Sequence, residues 1–306
     1  MGNITRRDFL KIGAGAVAMT LLPKFFLGSE NNRATGSLIG VAHGEKSKLV
    51  KAAIDAIGGI EKFIDQEDQV LIKPNISFAA NSEWGATTNA DIVRQLVQLC
   101  LDAGAKKIVI IDYPLANAEL CLEKSGIESA TVDKQKVSIL MLSKERQFTE
   151  VEVPDGKEIT SVKIAKELKK ADKFINFPVA KTHSATGVSI GLKNLMGVIW
   201  DRGIFHQVNI HQAIAELATV VKPHLTLVDA TKVLTSGGPG GPGKTVALDK
   251  VIAGVDVVAV DSYAVGITPW YNKSFKGSSV KHIAAAAGLG LGEIDTEKMI
   301  IKEVDV

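Results

Sequence analysis

"TTNADIVRQLVQLCLDAGAKKIVIID", Thr87 to Asp112, decides the reading of the fold. Ile92, Leu96 and Cys100 recur at helical spacing in its first part. Thr88, with Asp91 three residues on, resembles a capping-box start, and Gly104 supplies a C-terminal stop. Ile108 to Ile111 then run without a polar break, the pattern of a strand buried on both faces. A helix that passes within a few residues into such a strand is half of a β-α-β unit.

The same alternation extends in both directions. Upstream, "SLIGVAH" reads as a strand, "KLVKAAIDAIGGIEKFI" as a helix weakened by Gly58-Gly59, and "QVLIKPN" as a strand stopped by Pro74. Downstream come the short helix "NAELCLEKSGI", the strands "VSILML" and "KFINFPVAK", and the helix "NIHQAIAELATVV" capped by Asn209. "HLTLVDA" and "KVIAGVDVVAVD" read as strands and "SSVKHIAAAAGLG" as a late helix. Phe148 to Lys163 breaks the rhythm. It alternates in period two around Pro154-Asp155-Gly156 and predicts a β-hairpin insertion near 148–163. The expectation is an α/β fold, a mostly parallel sheet with helices on both faces, formed by one domain over residues 38–306.

The chain opens "MGNITRRDFLKIGAGAVAMTLLPKFF". Arg6-Arg7 followed by Phe9-Leu10-Lys11 and a short apolar run is the pattern of a twin-arginine export signal, here assigned to residues 1–30. The run from Ile12 to Leu22 is shorter than the roughly 20 residues a spanning helix needs. Cleavage between Ser29 and Ser37 and retention as an uncleaved anchor both fit. The expected location is periplasmic or otherwise extracytoplasmic, with the twin-arginine machinery as an export partner.

The full chain carries a net charge of +2. Residues 1–29 hold Arg6, Arg7, Lys11, Lys24 and Asp8, so the remainder has a net charge of −1 and no basic field for nucleic acid. The two cysteines, Cys100 and Cys121, lie on apolar helical stripes and read as buried thiols, with a disulfide as the alternative. They cannot ligate an iron–sulfur cluster without outside thiolates.

"SGGPGGPGKT", Ser236 to Thr245, matches the P-loop pattern through Gly238, Gly243, Lys244 and Thr245. A true P-loop opens a helix. Here "VALDKVIAG" follows, rich in β-branched residues, and Pro239 and Pro242 remove two N–H donors. A glycine-rich loop that holds an anion with Lys244 and a plain surface connection are the competing readings. ATP and GTP are also scarce outside the membrane.

Polar residues fall repeatedly just after apolar runs: Lys73 and Asn75, Asp112, Lys181 and His183, Asp229, Asp261. In a parallel sheet such positions share one edge, where ligands of open α/β folds bind. For any one of them a solvated strand end or helix cap suffices; the set points to a site. "NFPVAKTHSATGVSIGLKNLMGVIWDRGIFHQ" is the densest segment, with Lys181, His183, Lys193, Asn194, Asp201, Arg202 and His206. Cations of this kind bind carboxylate or phosphate. His183 and Lys181 are the catalytic candidates, one as a proton carrier near neutral pH, the other as a lysine desolvated beside a second cation. Lys73, Lys181 and Lys193 would hold the anion, with Lys244 of the glycine-rich loop as a further ligand-binding candidate, and Asn75 and Asn194 would orient it. Asp229 and Asp261 would set the lysine charge states or hold a divalent ion. A metal site from His183, His206, His211 and an aspartate is weakened because His206 and His211 are five apart. His43, His224 and His282 read as surface or satisfied histidines.

Together "LIKPNI", "DAGAKKIVIID", "NFPVAKTHSATGVSIGLKNLMG" and "VDVVAVDSYAVG" resemble the domain of unknown function family 362 over roughly residues 38–290. Many members of that family resemble iron–sulfur proteins through an added ferredoxin-type cysteine cluster. This chain departs from that pattern, which puts direct electron transfer in doubt. The resemblance implies the fold and the place of the site, and no established reaction. The leading expectation is an exported enzyme acting on a small anion by Lys/His acid–base chemistry. The alternatives are a non-catalytic accessory protein of an extracytoplasmic redox complex and a P-loop nucleotide hydrolase.

Overall fold

The computed structural model describes residues 36–306. The export signal lies outside the described residues. In chain order the main elements are β1 (Leu38–His43), α1 (Leu49–Asp55), β2 (Gln69–Pro74), α2 (Ala90–Asp102), β3 (Lys107–Asp112), α3 (Ala118–Ser125) and β4 (Val137–Met141). There follow β5 (Phe148–Glu152), β6 (Ser161–Ala165), β7 (Lys173–Phe177), β8 (Val179–His183), β9 (Gly187–Ser189), α4 (Gly191–Asn194) and α5 (Ile210–Val220). The chain closes with β10 (Leu225–Leu234), β11 (Thr245–Gly254), α6 (Val257–Val265), α7 (Lys281–Gly288) and β12 (Ile300–Asp305).

A ten-stranded sheet runs β12-β1-β11-β10-β7-β2-β3-β4, with β8 joined to β10 and β9. β10, β7, β2, β3 and β4 are mutually parallel, so their C-terminal ends lie along one edge. β11 runs against both β10 and β1. The period-two pattern sorts side chains to two cores. Leu71, Ile111, Phe174, Val228 and Ile252 face α5, α6 and α7. Val70, Ile72, Ile110, Ile175, Leu227 and Val251 face α1 and α2. Both faces of the sheet are therefore covered, which explains why the central strands read as unbroken apolar runs.

β5 and β6 pair antiparallel as a separate two-stranded sheet, the hairpin expected from the alternation around Pro154-Asp155-Gly156. The hairpin is fixed by one carboxylate. Glu216 of α5, only 2% exposed, accepts N–H bonds from Lys157, Glu158 and Ile159 at 2.8–3.0 Å, and one from Gln212 Nε2 at 3.0 Å. Burial alone raises its pKa, but these donors outweigh burial and hold it below the usual carboxylate range. The ion contributes stability above the unfolded-state pKa, roughly 4.3, and that contribution is lost as pH falls through the lower folded value. Replacing Glu216 with Ala strands three backbone donors, and a loss of about 2–4 kcal/mol in urea-unfolding free energy at pH 7 is expected. The loss shrinks as pH falls.

Three local expectations are corrected. "VDVVAVD" is not the end of a strand: β11 stops at Gly254, and Asp256 caps α6 by accepting from Val258 N and Ala259 N. The cap, with burial on nearly all sides, overrides the valines' preference for strands. "KFINFPVAK" is split at Pro178, which cannot donate to a ladder; β8 then leaves β7 and pairs with β10 and β9. The first helix ends at Asp55, before Gly58-Gly59, whose φ angles of +118° and +87° are left-handed.

Candidate active site

Lys73 and Asn75 leave β2, Asp112 ends β3, and Lys181 and His183 lie on β8. Lys193 and Asn194 come from α4, whose first turn is anchored from below: both Asp261 carboxylate oxygens accept N–H bonds, from Gly191 at 2.7 Å and Leu192 at 2.9 Å. Gly191 has to be glycine, because a Cβ there would lie 2.6 Å from Asp261 Oδ1.

These elements enclose a cleft of about 70 Å³, lined by Asn75, Lys181, His183, Lys193, Arg202 and His206, with Phe78, Leu115, Met196 and Pro239 among the apolar walls. At roughly 10–15 Å³ per water-sized group it has room for about five such groups. No lining residue is an aspartate or glutamate.

Beneath the cleft lies a closed polar network. Lys73 Nζ is buried and spends its three donors on Asp112 Oδ1 at 2.9 Å, Pro74 O at 2.7 Å and Asn194 Oδ1 at 3.0 Å. Asp112 also accepts from Ile76 N and Tyr113 N. Asn194 Nδ2 donates to Asn176 Oδ1 and Lys73 O, and Asn75 Nδ2 donates to Asn194 Oδ1. Gly197 closes over this floor, where a Cβ would sit 2.3 Å from Asp112 Oδ1. Burial pushes the Lys73 pKa down, and Asp112 opposes that shift.

Facing the cleft, Lys181 Nζ donates to Asn75 Oδ1 at 2.9 Å and Ala86 O at 2.6 Å, 4.8 Å from the Phe78 ring centroid. Burial lowers its pKa to about 7; Asp112 opposes this, while Lys193 and Lys73 add to it. Lys193 Nζ has no hydrogen-bond or ion-pair partner among the described residues, and burial followed by Arg202 and Lys73 lowers its pKa to about 8. Arg202 donates to Tyr113 O at 2.8 Å and Pro114 O at 3.0 Å and lies 4.3 Å from the Tyr113 ring centroid, leaving further N–H groups unspent. Tyr113 in turn stacks on Trp200 at 5.4 Å.

His183 is not arranged as a base. Its Nδ1 accepts the Ala185 N–H at 3.1 Å, so the neutral ring carries its proton on Nε2. Burial, then Lys193 and Lys181, push its pKa down to about 3. At neutral pH it is an uncharged donor.

The structure thus gathers Lys181, His183, Lys193, Asn75 and Asn194 at the cleft, with Lys73 under its floor rather than on its wall. Three other candidates stand elsewhere. Asp229 lies inside β10, its oxygens committed to Asn89 N, Thr231 N and Thr231 Oγ1. Asp261 is a helix residue holding the start of α4. Lys244 is exposed in the β10–β11 connection, where Thr235 N donates to its carbonyl. That connection joins two antiparallel strands and opens no helix, so it is not a phosphate-binding P-loop. Its Gly238 N–H instead donates to Thr182 Oγ1, setting Pro239 against the cleft. Among the described residues no three His, Cys, Asp or Glu side chains gather as a metal site. Cys100 and Cys121 are free and buried. His282 is fully buried with both ring nitrogens unpartnered, contrary to the surface or satisfied role expected of it. His43 is exposed beside Asp305, and His224 Nδ1 accepts the Phe174 N–H. Arg202 was legible as a donor in the densest segment; its place on the cleft depends on the turn after Trp200, which spacing alone does not fix.

The family model described as "Domain of unknown function (DUF362)" matches residues 70–266, more than half of the chain, and includes every cleft residue named above. The chain belongs to that family. A twin-arginine translocation signal matches residues 3–23, which implies export across the cytoplasmic membrane. Among the described residues no helix is long and apolar enough to cross a membrane. The chain is 24% identical over 221 residues to a thylakoid-associated protein of Synechocystis sp., covering 69% of this chain and 66% of that one. It also resembles the lactate racemase apoprotein of Thermoanaerobacterium thermosaccharolyticum, with a TM-score of 0.47, 13% identity, and coverage of 74% of this chain and 56% of the other. The chain therefore spans slightly under two thirds of the first protein and just over half of the second.

Proposed function

We propose that this protein is an exported enzyme that binds a small carboxylate or phosphate in the cleft and moves a proton with a lysine amine. The observation that carries the reading is an imbalance of charge. Lys181, Lys193 and Arg202 converge on a space with no acidic wall, and the carboxylate nearest the network, Asp112, is already spent on Lys73 and two backbone donors. Uncompensated buried cations are costly unless a ligand pairs with them.

The roles differ from those expected from spacing. Arg202 and Lys193 hold the anion. Lys181, with two of its hydrogens directed at Asn75 Oδ1 and Ala86 O, retains in its neutral form one lone pair to accept a proton. His183 Nε2–H donates to the ligand, and Asn75 and Asn194 keep Lys181 in register through the network below.

The test is Lys193→Met. Sulfate affinity measured by calorimetry at pH 6.5 should fall at least tenfold. The melting temperature should hold or rise, because an unpaired cation leaves a low-dielectric site. Unchanged affinity would remove the cleft as the anion site. An accessory role would instead be supported by a stoichiometric partner that covers the cleft in protein purified from its own host.

A further inference from the structure

We infer that Lys193 forms an imine with the carbonyl group of a 2-oxo acid, a proposal that rests on the anion-binding reading above. Three lysines surround the cleft and its floor, and they are not equivalent. Lys73 has an acceptor for each of its hydrogens. Lys181 has two acceptors and is 1% exposed. Lys193 alone combines partial exposure to the cleft with an Nζ that no described acceptor engages.

An amine acts as a nucleophile only through a free lone pair, and no carboxylate lines the cleft to hold Lys193 as the ammonium ion. Its lowered pKa, about 8, acts in the same direction. The surroundings suit a carbonyl adjacent to an acid group. The unspent Arg202 donors match a carboxylate, and the His183 Nε2–H is a donor for the carbonyl oxygen. The cleft, about 70 Å³ and open on one side, has room for the carboxylate and adjacent carbonyl of such an acid.

In the step itself the Nζ lone pair attacks the carbonyl carbon and a C–N bond forms. The C=O π pair moves to oxygen, which takes a proton to give the carbinolamine. Loss of the nitrogen proton and of the hydroxyl group as water then leaves C=N. Amine and ketone become imine and water, with no oxidant or reductant.

The experiment is borohydride trapping of the full mature chain with pyruvate as the probe, followed by peptide mass spectrometry. One reduced adduct per chain is expected, at least tenfold more abundant on Lys193 than on any other lysine. With pyruvate kept saturating at each pH, so that the weaker anion binding at higher pH does not limit the reaction, its yield should rise between pH 6.5 and 8.5. At a fixed pH and subsaturating pyruvate it should fall when acetate competes. Lys193→Arg, which keeps the charge, should bind pyruvate and give no adduct at this position. An adduct spread over surface lysines, or equal yield in wild type and Lys193→Arg, overturns the inference. Calorimetry on the same sample separates the two levels. Pyruvate that binds without trapping refutes the imine and leaves anion binding standing, whereas no binding of pyruvate, acetate or sulfate refutes both.

Discussion

Replacing Asp112 with Asn is expected to lower unfolding free energy by about 3–5 kcal/mol, the usual cost of breaking a buried ion pair from one side. For a chain of this size that is a drop of about 10 °C in melting temperature. The reason lies in the number of donors aimed at this carboxylate. Oδ1 accepts from Lys73 Nζ and Tyr113 N, both at 2.9 Å, and Oδ2 accepts from Ile76 N at 2.6 Å. An amide offers one oxygen where two are needed and turns its NH2 toward another donor. Lys73, pushed toward neutrality by burial, also loses the charge that opposes that push. Because Lys73 and Asn75 both meet Asn194 Oδ1, the disturbance reaches Lys181 through Asn75. Calorimetric unfolding at pH 7 is the check. A variant within about 1 kcal/mol of wild type would mean that the pair is not buried as described.

Anion affinity is expected to be highest near pH 6 and to weaken as pH rises through 7 and 8. Burial is the chief cause of both lowered lysine values, about 7 for Lys181 and about 8 for Lys193. Each lysine attracts the ligand only when protonated, so affinity is present below these values and is lost above them. Each lysine that must be charged contributes up to about tenfold per pH unit beyond its pKa, two units for Lys181 and one for Lys193 at pH 9, so a weakening on the order of 1,000-fold between pH 6 and 9 is expected. Sulfate is the suitable probe because it does not titrate in this range. His183, held neutral by burial and by its lysine neighbours, should add no inflection near 6.5. Lys193→Met should remove the upper inflection and leave the lower one. A flat profile would show that neither lysine charge binds the ligand.

Much of the architecture could be read from the chain because its strands are covered on both faces and its helices carry their own caps. Asn209 caps α5 as expected, accepting from His211 N and Gln212 N, a signal that survives without tertiary context; α2 is capped by Asn89 rather than by the expected Thr88, whose hydroxyl instead donates to Phe177 O. α6 was misread because its valines are buried on nearly every side, which leaves no amphipathic period to detect. The gathering of Lys181, His183, Lys193 and Asn194 followed from one dense segment and a parallel sheet. The fates of Asp229, Asp261 and Lys73 did not, because each is defined by a partner far away in sequence: Asn89, Gly191 and Asp112 respectively. Strand-end position tells which residues are near an edge. It does not tell which spend their charge inward. The tautomer of His183 was equally hidden, since it depends on a backbone N–H two residues on.

Anomalous diffraction from crystals soaked in bromide tests the proposed anion cleft most directly. The strongest bromide peak should lie in the cleft, within contact of Lys193 and Arg202, and should vanish in Lys193→Met. Peaks confined to the outer surface, with the cleft filled by water alone, would contradict the account.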